Sequence, residues 1–95
     1  MGRQFIGHSD AVWSIQVFQD LLLSCSADDS IKIWNCESGE IKLNYTNQEA
    51  GTPSDAKFTK DASKIIVSWR ETELLTMVDL ETGNNYINRR LYFIT

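Results

Sequence analysis

Two stretches of this chain repeat one another. "WNCESGEIKLNY" (Trp34–Tyr45) and "VDLETGNNYINR" (Val78–Arg89) align at an offset of about 44 residues. Trp34 then stands over Val78, Asn35 over Asp79, Ser38 over Thr82 and Gly39 over Gly83. Upstream, "KIIVSW" (Lys64–Trp69) falls under "LLLSCS" (Leu21–Ser26), with Ser68 set under Ser24. "SDAKFT" (Ser54–Thr59) falls under the run that begins at Val12, at an offset nearer 40, so the hairpin around "TKDASK" is longer by about four residues than its counterpart. A chain that repeats at this period must build two similar units rather than one irregular domain.

Each unit reads as strands. "VWSIQVF" puts Trp13, Ile15 and Val17 on one face; "LLLSCS" sets Leu21, Leu23 and Cys25 against Leu22, Ser24 and Ser26; "SIKIWN" sets Ile31 and Ile33 against Lys32 and Trp34. "EIKLNY" is a fourth, and "QD", "ADD" and "ESG" between them suit tight turns. Four short antiparallel strands repeated every ~40–45 residues are the pattern of propeller blades. The expected fold is all-β, with four-stranded antiparallel blades. A closed propeller needs at least about four blades, so two imply an incomplete propeller, a piece of a longer protein with end blades that expose apolar faces.

Composition narrows the function classes. The formal net charge is −4 over 95 residues, which disfavours a nucleic-acid partner because phosphate contacts need clustered cations. Arg89 and Arg90 form the only adjacent basic pair. No apolar run approaches the ~18–20 residues of a membrane span, and the N-terminus lacks a secretory h-region. Cys25 and Cys36 make neither a CxxC nor a disulfide framework; both are expected to be reduced and the chain cytoplasmic. One histidine with scattered aspartates matches no metal-ligand spacing, so no metal and no cofactor is expected.

Gly7-His8, "SAD" before a short turn, and "IKIWN" ending at Trp34-Asn35 together resemble a WD-repeat, with Asn35 in place of the usual aspartate. "DAVWSI … LLLSCSADDSIKIWN" is particularly similar to a blade of the striatin family, and "AGTPSDAKF … KIIVSW … MVDLETG" resembles the irregular blade that follows it. The resemblance spans about residues 5–88. It divides the chain into 1–6, the last strand of a preceding blade; 7–46, a WD-repeat blade; 47–90, a degenerate blade; and 91–95, an unassigned tail. It also implies a hydrogen-bonded tetrad of His8, a serine, Asp28 and Trp34. Ser24 and Ser26 share one strand face, and either fits. Asp29-Ser30 departs from the family's Gly-Thr, which makes Asp29 a substitute for glycine in that turn. The second unit has Gln48, Thr72 and Val78 at the His, Asp and Trp positions and so lacks the tetrad.

The same residues raise a catalytic alternative: His8 as base, a serine as nucleophile and Asp28 as orienting group of a small hydrolase. There is no Gly-x-Ser-x-Gly elbow and no glycine-rich loop to supply an oxyanion hole. The expectation is no catalytic residue, and buried polar fastening instead. If the resemblance holds, the parent protein is a striatin-like scaffold that brings protein phosphatase 2A to kinases and other partners, and the blades are a docking surface for proteins; the alternatives are an adaptor outside the striatin family and the hydrolase. Trp13 and Trp69 are candidate partner contacts, with packing between blades as the competing role.

Overall fold

The structure is a computed structural model. It describes residues 5–48, 50–72, 74–82 and 85–90, the last stretch by its backbone alone. Alternating sequences separated by turn residues give eight strands: β1 (Val12–Phe18), β2 (Leu21–Ser26), β3 (Ile31–Asn35), β4 (Ile41–Tyr45), β5 (Pro53–Phe58), β6 (Lys64–Trp69), β7 (Leu74–Asp79) and β8 (Asn85–Arg90). They form two four-stranded antiparallel sheets, β1-β2-β3-β4 and β5-β6-β7-β8, each an up-and-down meander. The sheets do not close into a barrel, and no helix occurs among the described residues. Each sheet is a four-stranded meander of the kind expected of a propeller blade. The strand expected over residues 3–6 lies mostly outside the described residues, and Phe5 and Ile6 are not in a strand. The 91–95 tail lies outside them altogether.

The turns explain the repeat. Asn35 Oδ1 accepts from the backbone N–H of Glu37 (2.8 Å) and Ser38 (3.1 Å); Asp79 Oδ1 does the same for Glu81 (2.8 Å) and Thr82 (3.0 Å). A short polar side chain that bonds the backbone two or three residues on is what makes Asn and Asp turn formers. Asp29 adopts a left-handed φ of 70°, the region glycine reaches without strain. Its carboxylate accepts from Thr52 Oγ1, tying this turn to the loop before β5.

One face of each sheet meets the other in a shared core. From the first sheet come Leu23, Cys25, Ile31 and Ile33; from the second come Ile65, Val67, Trp69 and Val78. All are buried, and burial of a large apolar side chain contributes roughly 1.5–3 kcal/mol. Side chains on β1 and β5 stitch the sheets along one edge. Trp13 Nε1–H donates to Pro53 O (3.0 Å), Ser14 Oγ–H to Asp55 Oδ1, and Phe58 N–H to Gln16 Oε1 (2.7 Å). The bulge between Val12 and Ser14 breaks the alternation at Trp13. Trp13 therefore reaches the second sheet, while Ile15 and Val17 register with Ser24 and Leu22 and stand exposed.

Strand pairing corrects the alignment of the units by one residue. Trp34 pairs with Leu22, and Val78 pairs with Ile65, so β6 sits at 43 rather than 44 residues from β2. Val67, not Ser68, takes the place of Ser24; Trp69 takes that of Ser26 and Thr76 that of Lys32. A slip of one residue exchanges the two faces of a strand. Trp69 accordingly turns inward, at 4% exposure, and takes the packing role between the sheets rather than that of a partner contact.

Candidate functional site

The segment before β1 crosses the far face of the first sheet and brings His8 over Ser24 and Trp34. Glycine at position 7 is what lets it pass. A Cβ there would lie 2.9 Å from Trp34 Cη2 and 3.2 Å from Ile41 Cδ1, closer than packed carbons approach. Trp34 is buried beneath, with Phe5 (5.5 Å between ring centroids) and His8 (5.9 Å) both set edge-on to it.

A single chain of hydrogen bonds links these residues. Trp34 Nε1–H donates to Ser24 Oγ (2.8 Å), and Ser24 Oγ lies 2.6 Å from His8 Nε2. His8 Nδ1 lies 3.0 Å from Asp28 Oδ2. An ionised Asp28 only accepts, so the network assigns the hydrogen of His8 to Nδ1 and leaves Nε2 to accept from Ser24. Asp28 is further bonded by the backbone N–H of Ser9 and Ser30 and by Ser30 Oγ–H. Burial pushes its pKa up, but those donors together with His8 outweigh burial and hold the carboxyl well below the usual carboxylate range. Of the two serines the sequence left open, Ser24 joins His8 and Trp34. Ser26 instead donates to Asp10 O and accepts from Asp28 N–H, securing the turn.

This order of serine, histidine and aspartate is that of a hydrolytic triad, yet Ser24 is 3% exposed. Its oxygen is held by the Trp34 indole on one side and by His8 on the other. A nucleophile needs an open approach and donors aimed at a developing oxyanion. Cys25 offers no substitute, since burial, aided by the charge of Asp55, pushes its thiol up to about 12. Among the described residues, no group of three or more His, Cys, Asp or Glu side chains is placed to hold a metal ion. No helix among them is long and apolar enough to cross a membrane.

The second sheet handles the same space differently. Val67 and Val78 occupy the positions of Ser24 and Trp34, and the Thr72 hydroxyl is buried with no hydrogen-bond partner among the described residues. Gln48 is exposed. Yet an indole-to-hydroxyl bond reappears across the strands in reverse: Trp69 Nε1–H on β6 donates to Thr76 Oγ1 on β7 at 2.9 Å. Thr76→Val keeps the shape and strands that buried donor. The expected loss is about 1–3 kcal/mol of unfolding free energy, read by urea denaturation.

Lys32, at the position of Thr76, was not singled out by its place in the alternation. It is 6% exposed, and its ammonium bonds Asn44 Oδ1 at 3.0 Å with no carboxylate partner among the described residues. A buried unpaired cation costs more than an apolar side chain of similar volume. Lys32→Met is expected to leave stability unchanged or raise it by about 1 kcal/mol; the same urea curves would show a loss if the ammonium holds the sheet.

Trp13 is the candidate contact that the structure leaves partly open. Arg70 lies over its ring, 4.7 Å from the centroid, a cation–π arrangement.

Comparison with known proteins agrees with this geometry. The WD40 family model, described as "WD domain, G-beta repeat", matches residues 2–35. Human Striatin-4 is 32% identical over 84 residues, covering 82% of this chain and 11% of that protein. Mouse Striatin is 35% identical over 69 residues, covering 67% and 9%, and mouse Striatin-3 is 32% identical over 87 residues, covering 86% and 11%. The chain thus corresponds to a small part of each. Among solved structures, the computationally designed Ika4 protein superimposes with a TM-score of 0.72 over 90% of this chain and 52% of its own, at 18% identity, a likeness of fold alone. The chain belongs to the WD-repeat family, and the striatins are among its homologues.

Proposed function

We propose that the chain is a non-catalytic docking module of a striatin-like scaffold, one that helps to bring protein phosphatase 2A together with kinases and other signalling proteins. The observation that carries this reading is the enclosure of Ser24. The residues that could have formed a triad are spent on fastening the first sheet, which makes His8, Ser24, Asp28 and Trp34 a structural set, with Ser26 securing the adjacent turn. A fold stabilised in this way offers partners its loops and edges. Trp13, stacked with Arg70, is the proposed anchor, since tryptophan and arginine are enriched among the residues that dominate interface energies. The striatin homologues support a scaffold role, and the choice of partners follows from the striatin resemblance.

Two assays test the reading. Purified chain, immobilised and presented with purified protein phosphatase 2A and with purified kinases, is expected to retain at least one of them saturably, and less of it after Trp13→Ala. Retention of none contradicts the proposal. Model esters and phosphoesters are expected to turn over at the uncatalysed rate, with chain or with His8→Ala; turnover that disappears in the variant would revive the hydrolase.

A further inference from the structure

Where the two sheets diverge, at the end opposite Asp28, a groove of about 480 Å³ opens between them. That volume lies in the range of sites that hold a ligand group, roughly 300–1,000 Å³. Leu21, Ile33 and Leu43 of the first sheet and Leu80, just past β7, give it an apolar side, and Ser63 of the turn before β6 and the charged Lys42, Asp79 and Glu81 also line it. Ile33 is buried at its base, and the three leucines pack on the shared core from the rim. The two lips carry opposite charge. Lys42 stands exposed on β4, and Glu81 stands exposed beyond Asp79 on the other side. No ion pair joins Lys42 to Glu81 among the described residues, although both line the same opening.

We infer that this groove binds an extended segment of a partner protein in which one apolar side chain lies between an acidic and a basic residue. The apolar side chain fills the space between Leu21, Leu43 and Leu80. The acidic residue faces Lys42 and the basic residue faces Glu81, so the charge pattern sets the direction of the segment. The inference rests on the docking-module reading and assigns that module a specific surface.

The test uses three labelled octapeptides: one with a central leucine between glutamate and arginine, one with that leucine replaced by serine, and one with arginine on both sides. Binding is followed by fluorescence polarisation and by amide shifts in nitrogen-15 spectra of the whole chain. The first peptide is expected to bind best and to shift the amides of Leu21, Leu43 and Leu80. The serine peptide is expected to bind about tenfold more weakly, from the loss of one buried apolar group. Lys42→Glu, at an exposed position, is expected to weaken the first peptide about threefold and to favour the doubly basic one; Glu81→Lys should weaken both. Equal binding of all three peptides, shifts confined to other surfaces, or indifference to both substitutions overturns the inference. If purified partners bind the chain while Lys42→Glu and Glu81→Lys change nothing, the groove assignment fails and the docking module stands.

Discussion

Trp34→Ala is expected to lower the unfolding free energy by about 4 kcal/mol, within the range for removing a large buried aromatic. Two losses combine. The indole is buried between Ser24, His8 and Phe5, so truncation leaves a cavity under the segment that Gly7 carries across it. Ser24 also loses its donor while remaining buried. For a domain of this size total stability is roughly 5–14 kcal/mol, so the loss removes a large share of it and should lower the urea midpoint steeply. Urea denaturation followed by circular dichroism reads the effect. Trp34→Phe separates the two losses, because it fills most of the space and removes only the indole N–H; its expected cost is about 1–3 kcal/mol. A Trp34→Ala protein within about 1 kcal/mol of the parent would contradict the described packing.

Asp28→Asn is the second large effect, and it has a pH signature. The folded carboxyl ionises well below the usual range, so Asp28 adds stability that is fully present above its unfolded pKa, about 3.9. The contribution disappears as the pH falls from about 4 toward the folded value, where both states are protonated. The parent should therefore lose stability progressively below about pH 4. Asp28→Asn should be less stable by about 2–3 kcal/mol at pH 7, from the loss of charge-assisted bonds to His8, Ser9 and Ser30. The two stability curves should converge in acid. Asp61 is held at about 2 by the Ser63 backbone N–H, then by the hydroxyls of Ser63 and Thr59. It titrates in the same direction in both proteins, so the difference between them isolates Asp28. Parallel curves down to pH 2 would show that Asp28 is not the group involved.

Much of this arrangement was legible in the residues. Alternation marked the four strands of the first unit, the repeat carried them over to the second, and the shared turn chemistry of Asn35 and Asp79 underlies that repeat. The grouping of the lone histidine with Asp28 and Trp34 came from the resemblance to WD-repeats, and the hydrogen bonds agree with it. What failed to show was parity. Ser24 and Ser26 lie on one face, and only the path of His8 separates their roles. In the second unit, Ser68 looked equivalent to Ser24 because both are serines in an apolar run. Pairing places an extra residue in the turn between β6 and β7, which moves Val67 into that place and sends Trp69 inward. Lys32 reads as a solvated position in any alternating strand, yet it is buried and its ammonium bonds Asn44 on the neighbouring strand. The groove at Leu21, Leu43 and Leu80 belongs to neither sheet alone, so no local pattern announces it.

Exchange of the tryptophan indole hydrogens tests the central claim, that one sheet is fastened through Ser24 and the other through Thr76. In nitrogen-15 spectra of the whole chain, the Trp34 and Trp69 indole N–H groups should both exchange slowly. Ser24→Ala should speed the Trp34 signal and leave that of Trp69 slow by comparison, so that Trp69 serves as the internal control for global unfolding. A Trp34 indole that exchanges freely in the parent, or one that Ser24→Ala does not affect, would contradict the account.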